Sequence, residues 1–422
     1  MHVFITGKER RVFTLLLLIL FVSHPLAQKN FTIISLPDTQ YYTDIRYGGT
    51  PAHFTAQTQW IADNKDSLNI VFVAHLGDVV QKGNTKEIPW LYADYSMSII
   101  EDSLITNLED GIPYGIAVGN HDQGVGVGSV GEPGETELYN QYFGENRFLG
   151  RSYYGGHYGT KNDQHYALFN ASGYDFIAIF LEYNEYPEDS VLVWADSLLT
   201  VHSTRRAIII SHYIINDGNP GSWSTQGQAI YDALKSNPNL FLMICGHEDV
   251  EGIRQDTFNG NTVYTLLSNY QSYPNGGNGF LRIMEFLPAN NEIQVKTYSP
   301  YLEQFETDTS SQFILSYDMP LLITPVELLP VEFTVYQNYP NPFNPITTLR
   351  YDLPEDALVN ITIYDLMGRV VNNLVSSQQM AGYKSVQWNA TNNTGQPVSA
   401  GIYLYTIEAG EFKQSKEMVL LK

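Results

Sequence analysis

The sequence predicts an α/β domain with mixed β-sheets, followed by a small all-β sandwich. Three observations carry that expectation. Between residues 31 and 300, apolar runs of strand length alternate with polar stretches that keep a one-sided apolar face, the pattern of strands covered by helices. Beyond about residue 321 the helix pattern stops, and short alternating strands separated by turn residues take over. The 422 residues, 43% hydrophobic and 13% aromatic, are enough for two folded cores.

The basic stretch Lys8 to Arg11, the apolar run Val12 to Val22 and the small residue Ala27 predict an export signal over 1–27, its run too short to prefer spanning a bilayer, with an uncleaved anchor as the alternative. Strands are then expected at 31–36, 70–76, 114–118, 176–181, 207–210, 240–245, 262–267, 280–286 and 293–298. Helices are expected at 51–64, 89–106, 190–202 and 226–236, each with apolar residues gathered on one face. From Gly124 to Tyr158 glycine and tyrosine dominate, which predicts a long surface loop with a short helix at 135–143. Its rings either border the cleft and stack on a ligand or pack on their own loop. The expected boundaries are 28–322 for the α/β domain, 323–332 for a proline-stiffened linker and 333–422 for the sandwich. Sandwich strands are expected at 347–353, 359–365, 385–389, 402–408 and 412–420, with turns at 367–369 and 393–395. Titratable residues there are scattered, so no chemistry is expected in it.

A formal charge of −22 repels nucleic-acid backbones and anionic membrane surfaces, which excludes non-specific nucleic-acid binding. The single cysteine, Cys245, excludes an intramolecular disulfide. At the end of an apolar strand it suits a core position rather than a nucleophile.

Five fragments sit directly after apolar runs: Asp38-Thr39-Gln40, Gly77-Asp78, Gly119-Asn120-His121-Asp122, Ser211-His212 and Gly246-His247-Glu248-Asp249. Strand ends that share a rim would bring carboxylates, an amide and imidazoles together. Such a set suits two cations about 3.5–4 Å apart, bridged by one carboxylate. Asp78 is the expected bridge, because Gly77 lets the backbone approach closely. Asp38 would bind one ion, Asn120 the other through its amide oxygen, and His212 and His247 would supply nitrogens. The pair would activate a bridging hydroxide for in-line attack on a phosphoryl group. His121 would then protonate the leaving oxygen, and Asp122 would orient its ring. Taken singly, each aspartate equally suits a turn or helix cap, and His212 a buried core position. The joint order of five fragments is what points to chemistry. His75, inside its strand, suits a packed or supporting place, and His53, His157, His165 and His202 have no motif context.

Over residues 31–298 this series resembles the calcineurin-like metallophosphoesterases, with their Asp-x-His, Gly-Asp, Gly-Asn-His-Asp/Glu, His and Gly-His-x-His motifs in the same order. The resemblance implies two mixed β-sheets packed as a sandwich and flanked by helices. It also implies metal ligands at Asp38, Asp78, Asn120, His212 and His247, with His121 contacting the phosphoryl group. Gln40 and Asp249 depart from the pattern, each standing where the family has histidine, and both fall on the same ion. If both coordinate, Asp38, Gln40, Asp78 and Asp249 form an oxygen-only site that prefers Mn, Mg, Ca or Fe over Zn. Otherwise that site is weak or empty. Glu248 points away from Asp249 on an extended segment, and Asp249 is the better match.

The tail resembles the type A C-terminal sorting domain of type IX secretion, in Tyr339-Pro340-Asn341-Pro342-Phe343-Asn344-Pro345, Tyr364-Asp365-Leu366-Met367-Gly368-Arg369 and Gly401-Ile402-Tyr403-Leu404-Tyr405. That resemblance implies the type IX machinery as a partner and a secreted or cell-surface product. An ordinary carbohydrate-binding sandwich is the alternative, and Trp388 alone makes no tryptophan-lined groove. The expected function is an exported hydrolase of phosphomonoesters or phosphodiesters using two divalent ions, drawn from Mn, Fe, Zn, Mg and Ca. The competing expectation is a cell-surface binding or adhesion protein that keeps the fold and one metal.

Overall fold

The computed structural model describes residues 29–124, 132–319, 330 and 332–421. The expected export signal lies outside them, as does most of the expected linker. The chain divides into two compact units, Met1–Leu321 and Leu322–Lys422.

Two mixed sheets build the first unit. One runs in the order Gln304–Phe305, Glu292–Ser299, Leu281–Leu287, Phe31–Leu36, Ile70–His75 and Tyr114–Ile116, with Gln312–Ser316 also paired to Glu292–Ser299. Its last three strands are parallel and the others antiparallel. The second sheet has nine strands. Four of them, Tyr174–Leu181, Arg206–Ser211, Leu240–Cys245 and Asn261–Asn269, form a parallel centre flanked by antiparallel neighbours.

Strand periodicity explains why the central strands read as unbroken apolar runs. Along Tyr174–Leu181, Phe176, Ala178 and Phe180 join the core between the sheets, while Ile177, Ile179 and Leu181 face the helices Asp189–Val201 and Thr225–Leu234. Across the sandwich, Phe72 stacks on Phe169 at 4.4 Å between ring centroids, and Phe31 meets Phe176 at 5.6 Å. The helices Pro51–Asn64 and Ile88–Glu101 add Phe54, Ile61, Trp90 and Met97 to the same core.

Two expectations are corrected. The helix expected at 89–106 breaks at Asp102, whose extended backbone ends one helix while its carboxylate caps the Leu104 N–H of the next, Ser103–Thr106. The described part of the glycine- and tyrosine-rich stretch is not one long loop. It holds the helices Glu137–Phe143 and Glu145–Phe148 and the strand Tyr154–His157, and Tyr139 and Tyr153 are buried in the core. Residues 125–131 lie outside the described set.

The second unit is two antiparallel sheets. Thr334–Val335, Thr347–Leu353 and Gly382–Trp388 form one, and Val370–Gln379, Ala357–Asp365, Gly401–Ala409 and Phe412–Leu420 the other. Trp388, Tyr351 and Tyr405 fill its core. Among the described residues no helix is long and apolar enough to cross a membrane.

Candidate active site

The five fragments converge. Three follow parallel strands of the first sheet and carry Asp38, Asp78 and Asn120; two follow Arg206–Ser211 and Leu240–Cys245 of the second and carry His212 and His247. Asp38, Asp78 and His212 are buried, and one ligand atom from each lies within 4.8 Å of the others. His212 Nε2 is 3.3 Å from Asp78 Oδ2 and 3.9 Å from Asp38 Oδ1. Its Nδ1–H donates to the Leu76 carbonyl at 2.9 Å, which fixes the ring with Nε2 toward the carboxylates, as in metal-binding histidines. His247 Nδ1 completes the group, 3.2 Å from His212 Nε2 and 3.0 Å from Asn120 Oδ1.

Glycines make this packing possible. A Cβ on Gly246 would lie 2.3 Å from Asp38 Oδ2, and one on Gly77, at φ 100°, 2.7 Å from His212 Nδ1. Asp78 and His247 themselves take φ of 49° and 75°, backbone strain of about 1–3 kcal/mol each that clusters where function is built. His75 holds two of these turns. Its Nδ1 accepts the Gly77 N–H at 3.2 Å, so the proton sits on Nε2 and donates to Thr39 Oγ1 at 3.0 Å. Burial keeps this ring neutral, lowering its pKa to about 3.

The charges are strongly coupled. Burial raises the Asp38 carboxyl well above its usual range, opposed by His212 and assisted by Asp78. Burial would raise Asp78 too, yet His212 and His121 hold it below the ordinary carboxylate range. For His212, burial works against the charged ring, and Asp78 and Asp38 outweigh it, lifting the pKa to about 9. Burial, then the charge on His212, lowers His247 to about 4. Asp38 Oδ1 and Gln40 Oε1 are buried and accept no hydrogen bond. Two buried carboxylates beside unpartnered oxygens fit a divalent cation, which would satisfy all of them at once.

Several predicted residues take places other than those expected. Asp249 is exposed and lies in a groove with Gln271 rather than in the buried group, because His247 and Val250, both at φ 75°, turn the segment outward. Asp122 does not orient His121: its carboxylate oxygens accept the N–H groups of Val80 at 3.0 Å and Gly119 at 2.9 Å, and so brace the loop. Burial, then Asp78, raises its pKa to about 7. His121 instead meets Gln81, whose amide lies 2.8 Å and whose carbonyl 3.2 Å from Nδ1, while its backbone N–H donates to Asp78 Oδ1 at 2.9 Å. Gln40 donates through Nε2 to Gln271, which leaves Oε1 as its unpartnered atom. Sequence reasoning missed Gln271 and Asn269, whose amide donates to the His247 carbonyl at 2.9 Å. Asn269 ends the strand Asn261–Asn269 and Gln271 follows it, beside Leu240–Cys245, and that neighbour relation is not written in the sequence.

The calcineurin-like phosphoesterase profile matches residues 31–251, a span that contains all of these motif residues. The chain belongs to the calcineurin-like phosphoesterase family. The matched domain is built on mixed sheets, and a FlgD Ig-like domain profile matches residues 345–411 of the tail. The uncharacterized protein YvnB of Bacillus subtilis is 35% identical over 330 residues, which is 74% of this chain and 24% of that protein. The chain thus spans about a quarter of the length of this curated relative. Similar solved structures include a dimetal phosphatase from Danio rerio, 14% identical with a TM-score of 0.43, covering 68% of this chain and 99% of that one. GAP50, the anchor in the inner membrane complex of Plasmodium, is 14% identical with a TM-score of 0.41, covering 69% and 89%.

Proposed function

We propose that the chain is an exported, metal-dependent phosphoesterase acting on phosphomonoesters or phosphodiesters. The observation that carries this reading is the meeting of Asp38, Asp78 and His212 in one buried group, with Asn120 and His247 hydrogen-bonded against it. Asp78, Asn120, His212 and His247 would hold one divalent ion, and Asp38, Gln40 and Asp78 an oxygen-rich second one suited to Mn, Mg, Ca or Fe. When bound, such ions neutralise phosphoryl oxygens and make a water more acidic.

The protein's own groups then orient and protonate. His121 stands at the rim, partly exposed, with Gln81 offering both a donor and an acceptor to Nδ1. The protonated ring donates Nδ1–H to the Gln81 carbonyl and Nε2–H to the leaving oxygen, and the neutral ring left after transfer keeps its Nδ1–H on that carbonyl, so His121 stays in place. His75 and Asp122 fix the turns that carry Asp38, Asp78 and Asn120. Metal-stripped and reloaded protein should hydrolyse a generic aryl phosphate or phosphodiester, and Asp78→Ala should abolish that activity. Hydrolysis persisting in both chelated and Asp78→Ala protein would contradict the mechanism.

One observation favours the second reading, a binding protein with a single metal: the exposure of Asp249 removes a ligand from the oxygen-rich side. That reading requires one ion per chain and no turnover across an ester panel. For the tail, the Tyr339–Pro345 and Tyr364–Arg369 blocks support a sorting signal for type IX secretion. Deleting 333–422 should then strand the protein in the periplasm, and unchanged surface display would refute it.

A further inference from the structure

Beside the metal cluster lies a groove of about 460 Å³, lined by Tyr41, Tyr47, Tyr273, Asp249 and Gln271 among others. Two of its residues link it to the motif fragments. Gln271 reaches from the groove to Gln40, and Asp249 stands two positions beyond His247. The Tyr41 and Tyr47 rings meet edge to face, with centroids 4.8 Å apart at 61°. Tyr273 is backed by Tyr270 and Phe280 at 5.7 and 5.8 Å.

The charge of the groove is one-sided. No lysine or arginine is among its described lining residues, and the Asp249 carboxylate forms no ion pair among the described residues. Arg46, which precedes Tyr47, is engaged by Asp44, and Asp44 also takes Lys86 at 2.7 Å. A second phosphate or any other anionic arm would meet Asp249 with nothing to offset it. A cation would meet both that carboxylate and the aromatic rings of Tyr41, Tyr47 and Tyr273, which line the same groove.

We propose that this groove receives an alkylammonium group, quaternary or a protonated amine, carried by the phosphate ester. The proposal rests on the phosphoesterase reading and names its substrate class. Asp249, which stands where the family places a metal-binding histidine, becomes the residue that selects the substrate.

The test compares kcat/KM of full-length, metal-loaded protein on 4-nitrophenyl phosphocholine and on its neutral isostere, 4-nitrophenyl 3,3-dimethylbutyl phosphate. The cationic ester should be favoured by about fivefold or more, and that ratio should fall toward one in Asp249→Asn and in Tyr273→Leu. Because the ratio is taken within each variant, a general loss of activity cancels. A wild-type ratio near one, or a ratio that survives both substitutions, overturns the proposal. If neither diester is turned over while 4-nitrophenyl phosphate is, the chain is a monoesterase; if 4-nitrophenyl phosphate is inert too, the phosphoesterase reading fails on its own. Titration calorimetry with phosphocholine and 3,3-dimethylbutyl phosphate then decides the groove: tighter binding of the cation by about fivefold supports it, and equal binding overturns it. Glycerophosphocholine and phosphatidylcholine vesicles, run in parallel, distinguish a soluble ester from a lipid headgroup. Turnover of either supports the proposal, and turnover of neither overturns it.

Discussion

His212 touches both buried carboxylates, and its chemistry sets how the centre responds to pH. In metal-free protein its folded pKa of about 9 lies above the ordinary histidine value near 6.5. Its contribution to stability is therefore complete below about pH 6.5 and lost as pH rises through about 9. His75 and His247 act in the opposite sense, since folding depresses them to about 3 and about 4. They remove stability as pH falls below about 6.5. Asp38 and Asp122, raised by burial, oppose that acid-side loss, so urea midpoints of chelated protein should decline chiefly as pH rises through about 9, and metal loading should remove that decline by displacing the His212 proton. His121→Ala should lower kcat by about 10²–10⁴-fold on an alkyl ester, whose leaving oxygen needs a proton, and far less on 4-nitrophenyl phosphate. Steady-state kinetics on the two substrates checks this. The meeting of Asp38, Asp78 and His212 was legible because each follows an apolar run. The places of Asp122 and Asp249 were not, because a left-handed turn at His247 and two backbone N–H groups near Asp122 decide where those carboxylates point.

Strands buried on both faces announced themselves as continuous apolar runs, and the helix Pro51–Asn64 was legible to the residue. Val250–Phe258 escaped notice because it carries Glu251, Arg254 and Asp256 within nine residues, and Val370–Gln379 because its apolar residues come in pairs separated by polar pairs, without strand alternation. The charge in the first of these has a structural purpose. Glu251, four residues past His247, forms a buried ion pair with Arg282 of the other sheet and accepts from Tyr270, Thr297 and Ser311. It ties the His247 segment across the sandwich. Arg282→Met should cost about 3–5 kcal/mol, because it leaves Glu251 buried and unpaired, whereas Arg282→Met combined with Glu251→Leu should recover much of that loss. Thermal unfolding of the single and double variants checks the order.

Two compact units divide the work of the molecule. Every motif residue lies in the first, while the second holds an apolar core around Trp388, Tyr351 and Tyr405 and contributes no residue to the metal-binding group found among the described residues. Removing 333–422 from purified protein should leave kcat/KM unchanged, which a parallel assay of both forms tests. The central claim is that five strand ends from two sheets form one metal-dependent hydrolytic centre. Elemental analysis of reloaded protein, with phosphodiester turnover followed at each loading, tests it most directly. About two divalent ions per chain are expected, with turnover that rises with the second. One ion or none, with no turnover at any loading, would contradict it.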